Sequence, residues 1–304
     1  MDPIADRVYG LVLGCALGDA VGLTTEFMTA AEAADTYDLL LNSRKAAGEA
    51  VCLQPKDAVR DAHRSKWFPG DWTDDTDQLV CVLRCLLPVE GRGLRAPEAR
   101  DFAEQLMTWH RQGFPELGDA NGCGMGRSTA RVLDDPAFLQ EPQACARRAW
   151  DSTGRCMAPN GALMRAAATG LRGKDHAEED AKTIAEVTHA DPRSTAACVA
   201  VAKMVAWMVE RGTPGDGVDS LLSEAFASAE RYLPHETSLG EMPQTVWACS
   251  LCTLENPPSE DSCDACGHPR PAAGSGSVNA GFGTTWSEAA AQARGYGRAA
   301  ALEE

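Results

Sequence analysis

The feature that most constrains the fold is Trp72-Thr73-Asp74-Asp75-Thr76-Asp77-Gln78, which runs directly into Leu79-Val80-Cys81-Val82-Leu83-Arg84-Cys85-Leu86-Leu87. Apolar residues at 79, 82, 83 and 86 recur at helical spacing, so the acids sit on the first turn of a helix whose apolar face must enter a core. An acid there has an ordinary role. It accepts from N–H groups that the first turn leaves free and favours the positive end of the helix dipole, each contribution being roughly 0.3–1 kcal/mol. Capping needs one or two such groups, with Thr73 or Asp71 as the cap. Asp74, Asp75 and Asp77 repel one another unless protons or a cation intervene, and with hydroxyls between them they form a hard oxygen set suited to magnesium or calcium. On the residues alone, capping and cation binding both stay open.

Alanine is abundant and alternating β-branched runs are scarce, so the body is expected to be all-α. A chain of 304 residues can hold one large domain or two modest ones. With 44 acids against 28 bases and a net charge of -16, nucleic-acid binding through phosphate electrostatics is disfavoured. The N-terminus lacks a basic stretch followed by an apolar run, and no 18-residue apolar segment occurs. A soluble intracellular protein is expected, cytoplasmic and with the nucleus also open to it, and no membrane association. Of twelve cysteines, eight lie scattered among apolar neighbours and four cluster late, a division that predicts buried reduced thiols plus one metal site rather than disulfides.

Residues 4–21 read as a helix with Gly10, Gly14 and Gly18 on one face. Interior glycines cost about 1 kcal/mol each against alanine, so close packing of a neighbouring helix is expected there. Taken alone, Asp19 and Glu26 read as surface acids. A short helical piece is predicted at 30–35, loop at 42–66, and helices at 97–112, 141–151, 162–169, 176–188, 194–209 and 219–231. Trp109 is a packing residue and His110 a surface one. Between the helices, Gly118-Asp119-Ala120-Asn121-Gly122-Cys123-Gly124-Met125-Gly126 leads into another helical run. Alternate glycines there permit a tight turn whose N–H groups can cradle phosphate, although no strand precedes it as a dinucleotide fingerprint requires. Asn160-Gly161 is a turn dipeptide that likewise points backbone donors at its surroundings. His189, at the junction Thr188-His189-Ala190-Asp191-Pro192, is more often a hydrogen-bonded core residue than a ligand in such a setting.

After Pro234 the composition changes. Cys249-Ser250-Leu251-Cys252 and Cys263-Asp264-Ala265-Cys266 are two Cys-x2-Cys knuckles ten residues apart, which supply four thiolates at tetrahedral zinc spacing. So small a polar, Pro-rich unit would draw its folding free energy from the metal, and it keeps no open position for catalysis. A Gly/Ser linker and a glycine-interrupted helix at 286–303 follow.

Two resemblances rest on these motifs. From Asp6 to about Thr237 the ordered set Gly14-x3-Gly18-Asp19-Ala20-x-Gly22-x3-Glu26, Trp72-Thr73-Asp74-Asp75-Thr76, the glycine loop, Ala158-Pro159-Asn160-Gly161-Ala162-x-Met164-Arg165 and Thr188-His189-Ala190-Asp191 resembles the ADP-ribosylglycohydrolase superfamily. The resemblance implies a compact orthogonal helical bundle over residues 1–237 that hydrolyses the bond between ADP-ribose and a protein or small acyl acceptor, with a two-ion magnesium site. It implies Thr73, Asp74 and Asp75 as magnesium ligands, and Glu26, Asp74 and Asp75 as the catalytic acids. Gly122, Gly124, Met125 and Gly126 would hold the diphosphate, and Asn160, Gly161 and His189 would contact ribose and phosphate. Family members carry a second acidic motif of the Gly-Asp-x-Asp-Thr type at the head of a late helix. It does not occur after residue 237, so only half the ion ligands are visible, and an inactive ADP-ribose-binding adaptor is the competing expectation.

The second resemblance, over residues 245–271, is to the RanBP2-type zinc finger, written here Trp247-x-Cys249-x2-Cys252-x3-Asn256-x6-Cys263-x2-Cys266. It implies structural zinc on the four cysteines and a surface for ubiquitin, given Thr253-Leu254, ahead of RNA, with a finger that binds neither also left open. Residues 272–304 read as linker and C-terminal helix.

Overall fold

The computed structural model describes residues 2–88, 93–212, 215–233, 247–248, 255–256, 261–263 and 269–270. Nine α-helices are found among them, and the only paired strands are a two-residue ladder late in the chain. Helix α1 (Pro3–Gly22) starts where Asp2 accepts from the Ile4 amide at 3.1 Å, with Pro3 at its first position. Helix α2 (Ala30–Ala46) has a reciprocal cap. The Thr29 amide donates to Glu32 at 2.7 Å and the Glu32 amide to the Thr29 hydroxyl at 3.2 Å. This cap carries the helix eleven residues past the short piece expected at 30–35, and shortens the loop expected at 42–66.

Helix α3 (Asp74–Leu86) has Thr73 as its N-cap and stops just before Pro88. Its Leu79, Val82 and Leu86 pack with Phe102, Leu106 and Trp109 of α4 (Ala99–Gln112) and with Phe138, all at most 1% exposed. At roughly 1.5–3 kcal/mol for each large apolar side chain buried, this cluster fixes where the acidic turn must lie. Helices α5 (Arg127–Leu133) and α6 (Pro142–Ser152) close the same core. A second, alanine-rich cluster joins α7 (Ala177–Glu186) to α8 (Pro192–Arg211), and α9 (Val218–Glu230) lies along α8.

Two expectations are corrected. The run 162–169 forms 3-10 turns at Asn160–Ala162 and Ala166–Arg172 instead of an α-helix. A Cβ on Gly170 would stand 2.5 Å from the Ala202 carbonyl, so this segment lies on the backbone of α8 at a distance only glycine allows. The glycine stripe of α1 does not serve close packing among the described residues. Nothing lies within 4 Å of a Cβ built at Gly10, Gly14 or Gly18, and Tyr9, Leu13, Leu17 and Val21 of the same helix are exposed. Helix α1 is held along the neighbouring face, where Cys15 packs against the main core and Asp19 reaches Thr73, and at its start by Arg7, which donates to the Val209 carbonyl of α8 at 2.9 Å.

Trp247↔Asn256 and Ala248↔Glu255 pair antiparallel as β1 and β2, and Ser262 bridges Pro269. Cys263 is buried, and Arg127 at the head of α5 donates to the Ser262 hydroxyl at 2.7 Å. Cys249, Cys252 and Cys266, the rest of the expected zinc set, lie outside the described residues, as does the expected helix 286–303. No described helix is long and apolar enough to cross a membrane.

Candidate functional site

Helix α3 is capped from a distance. Asp19, on the last turn of α1, accepts from the Thr73 amide at 2.9 Å and hydroxyl at 2.9 Å, and from the Thr76 amide at 3.0 Å and hydroxyl at 2.7 Å. It satisfies the N–H groups that a helix start leaves free, across more than fifty residues of sequence. Asp19 and Glu26 are therefore half-buried parts of the site, a correction to their reading as surface acids when each is taken alone. Asp77 is committed as well. It accepts the indole N–H of Trp72 at 2.9 Å and of Trp109 at 2.8 Å.

Asp74 and Asp75 remain. Asp74 accepts from the Gln78 side-chain Nε2 at 3.2 Å, and among the described residues neither acid has an ion-pair partner. Burial pushes the Asp74 carboxyl well above its ordinary range, with Asp75, Glu26 and Asp19 adding to the effect. Asp75 is raised to about 6 by burial first, then by the charges of Asp19 and Glu26. Asp77 is also raised to about 6 by burial, against the pull of its two indole donors. Acids from α1, from the turn after it and from α3 thus share one field.

Glu26 sits in that turn with its carboxylate 2.8 Å from the His63 ring nitrogen. His63 stands edge-on to Phe27 and Trp67. The turn is pinned by buried Arg64, which donates to the carbonyls of Leu23 at 3.0 Å and Thr24 at 3.1 Å, and also to that of Glu26. Neither His63 nor Arg64 stands out in the polar 42–66 stretch, because what marks them is a contact some forty residues away.

The glycine loop closes over the acids. Gly124, at φ +97°, takes a conformation side chains resist, and a Cβ there would lie 2.5 Å from Asp74 Oδ1 and 3.0 Å from Trp67. A Cβ on Gly122 would strike Trp109 at 2.8 Å. Met125 is partly buried against the main core, and Gly126 caps α5.

Gly161 faces His189. A Cβ on it would stand 3.2 Å from His189 Nε2 and 3.4 Å from the Thr129 hydroxyl of α5, while Asn160 is exposed beside it. His189 is 5% exposed and borders a cavity of about 30 Å³ together with Ser128, Arg131 and Trp150. Burial, aided by the charge of Arg165, lowers its basicity to about 3, so the imidazole is neutral. The structure thus brings the glycine loop onto Asp74 and brings Gly161, His189 and α5 together.

In donor type, Thr73, Asp74 and Asp75 fit a hard divalent cation: one buried and one partly buried carboxyl without a counter-cation, flanked by a hydroxyl. Among the described residues, no group of three His, Cys, Asp or Glu side chains is gathered tightly enough to hold an ion outright. Asp19 is occupied by the two threonines, which leaves the set on α3 short of ligands.

With its all-helical body, acid-headed helix and two glycine turns, the chain belongs to the ADP-ribosylglycohydrolase family. The ADP-ribosylglycohydrolase family model matches residues 1–299, a span that runs past the boundary expected near 237 and through the cysteine cluster. The chain is similar to ADP-ribosyl-[dinitrogen reductase] glycohydrolase of Rhodospirillum rubrum, at 28% identity over 211 residues, 66% of this chain and 58% of that protein. It is also similar to ADP-ribosylarginine hydrolase Tri1 of Serratia proteamaculans (strain 568), at 27% over 199 residues, 64% of this chain and 44% of that one. The chain therefore spans about half the length of these curated relatives.

Proposed function

We propose that this protein hydrolyses the glycosidic bond between ADP-ribose and a side chain of a modified protein, in a magnesium-dependent reaction. The observation that carries the reading is the shared field of Asp19, Glu26, Asp74 and Asp75 at the head of α3, with Gly124 pressed against Asp74. Thr73, Asp74 and Asp75 would hold the cation, which supplies, when bound, charge for gripping ribose hydroxyls and for orienting water. Glu26, on the pinned turn and hydrogen-bonded to His63, is the acid placed to act at the scissile bond, whose cleavage passes through an oxocarbenium-like state. The loop Gly122, Gly124, Met125 and Gly126 offers main-chain N–H groups to the diphosphate, and Asn160, Gly161 and His189 contact the ribose and phosphate. The name of the Serratia relative favours arginine as the acceptor.

A second reading keeps ADP-ribose binding without turnover, and makes the late segment the working part: zinc on Cys249, Cys252, Cys263 and Cys266, with ubiquitin as partner. The pairing of Trp247–Ala248 with Glu255–Asn256 and the burial of Cys263 are what support it.

Calorimetric titration of ADP-ribose, with magnesium and again with EDTA, tests both. Binding that requires magnesium, at micromolar concentrations, is the expected result. Absence of binding in both buffers rejects the hydrolase and the ADP-ribose-binding readings alike, whereas binding without release of ADP-ribose from an arginine-modified protein, together with ubiquitin binding by the same sample, carries the adaptor reading.

A further inference from the structure

A continuous buried hydrogen-bond chain runs from the acids to His189. Gln78 donates to Asp74 at 3.2 Å and accepts from Arg165 Nη1 at 2.8 Å. Arg165 is wholly buried, lies with its guanidinium 4.7 Å from the Phe102 ring, and donates through Nη2 to the Ile184 carbonyl at 3.3 Å and the Thr188 hydroxyl at 2.6 Å. Thr188 Oγ1 is 2.8 Å from His189 Nδ1. His189 Nε2 is buried without a partner, and it faces the space that Gly161 keeps open.

The direction of the last bond follows from counting hydrogens. A guanidinium can only donate, so the Thr188 oxygen is an acceptor toward Arg165. Its single hydrogen then has one acceptor in reach, Nδ1. Were Nδ1 protonated instead, both Arg165 and His189 would point hydrogens at the same oxygen, and the hydroxyl hydrogen would be left in a dry interior, a cost of about 1–3 kcal/mol. Because Nδ1 accepts, the neutral ring must carry its proton on Nε2.

We propose that Arg165 and Thr188 are positioning residues which fix His189 as the Nε2–H tautomer, so that an uncharged donor is presented beside Gly161 to an oxygen of the ligand. This rests on the reading of His189 as a ligand contact. The unpaired Nε2–H is the second observation that points to a ligand: a buried donor held by a three-residue chain and left open at one end. A phosphate or ribose oxygen at that place restores the missing bond. An imidazolium is not required, and the Arg165 charge one residue behind opposes it.

Side-chain NMR of the full chain with ¹³C,¹⁵N-labelled histidine, the His189 signals being assigned by their loss in H189Q, reads the tautomer without any ligand. The Nε2–H form is expected in the wild-type protein, moving toward a mixture in Thr188→Val and returning in Thr188→Ser. ADP-ribose affinity should follow, falling roughly tenfold in Thr188→Val, which corresponds to about 1.4 kcal/mol, and recovering in Thr188→Ser. A wild-type ring protonated at Nδ1, or a tautomer unchanged in Thr188→Val, overturns the assignment. If the tautomer shifts as expected while ADP-ribose affinity is the same in wild type, Thr188→Val and H189Q, the hydrogen-bond chain stands and the ligand-contact role of His189 is overturned.

Discussion

The two ends of the buried chain, the acids of α3 and the imidazole after α7, solve opposite problems. At the first, carboxyls gather without a cation to pair them; at the second, a guanidinium is buried without a carboxylate in contact. Gln78 lies between. It passes hydrogen bonds both ways and carries no charge, whereas an acid at that position would pair with Arg165, and a direct Arg165–Asp74 contact would occupy a candidate metal ligand. The difference teaches how the fold keeps its acids unpaired: cation and anion are near enough to be linked and are held apart by an amide.

The largest test of this contrast is Arg165→Met. It leaves Gln78 Oε1, the Ile184 carbonyl and the Thr188 hydroxyl short of a donor, and at about 1–3 kcal/mol for each unpaired buried group the unfolding free energy should drop by roughly 3–5 kcal/mol in a urea titration. A loss under about 1 kcal/mol would mean that the imidazole end does not depend on the guanidinium.

Next in size is the pH response of the acid end. Asp75 has its folded value raised to about 6, so between about pH 4 and 6 the native state holds more protons than the unfolded one, and stability falls as pH rises through that window. Ionising a carboxyl so raised costs the folded state roughly 2–3 kcal/mol. Thermal melts without a divalent ion should show this decline, and added magnesium should raise the melting temperature at about pH 7.5 but not at about pH 4.5, where the carboxyl is protonated. Equal magnesium effects at both values would detach the ion from these carboxyls.

The smallest effect is expected from Asp19→Ala, which removes the long-range cap of α3 at about 1–2 kcal/mol. Because Asp19 also raises Asp75, the same variant should move the pH decline downward. An unmoved window would show that burial and Glu26 set it without Asp19.

What the sequence made legible was local. The cap, read as Thr73 or Asp71 and found at Thr73, and the apolar face of α3 follow from spacing within one element. Two pairs of motif residues also meet in space, Gly124 on Asp74 and Gly161 on His189. The joints between motifs were not legible. Asp19 reaches Thr73 over 54 residues, Gln78 reaches Arg165 over 87, and Arg64 reaches Leu23 over 41, so no window of sequence contains both partners. The glycines of α1 misled for the opposite reason: a regular small-residue face records an opportunity to pack, and the described elements do not take it.

The anchoring of the turn after α1 has a consequence for how the site opens. Arg64 ties the carbonyls of Leu23, Thr24 and Glu26 to the 61–67 segment, within which Asp61 holds Arg64, and His63 adds its own link to Glu26. Amide protons on both stretches should therefore exchange with solvent as one cooperative unit with a single protection level, in place of a frayed helix end and an independent loop. The main chain at Glu26 can leave its place only when that whole unit opens, so moving it is a question of local unfolding.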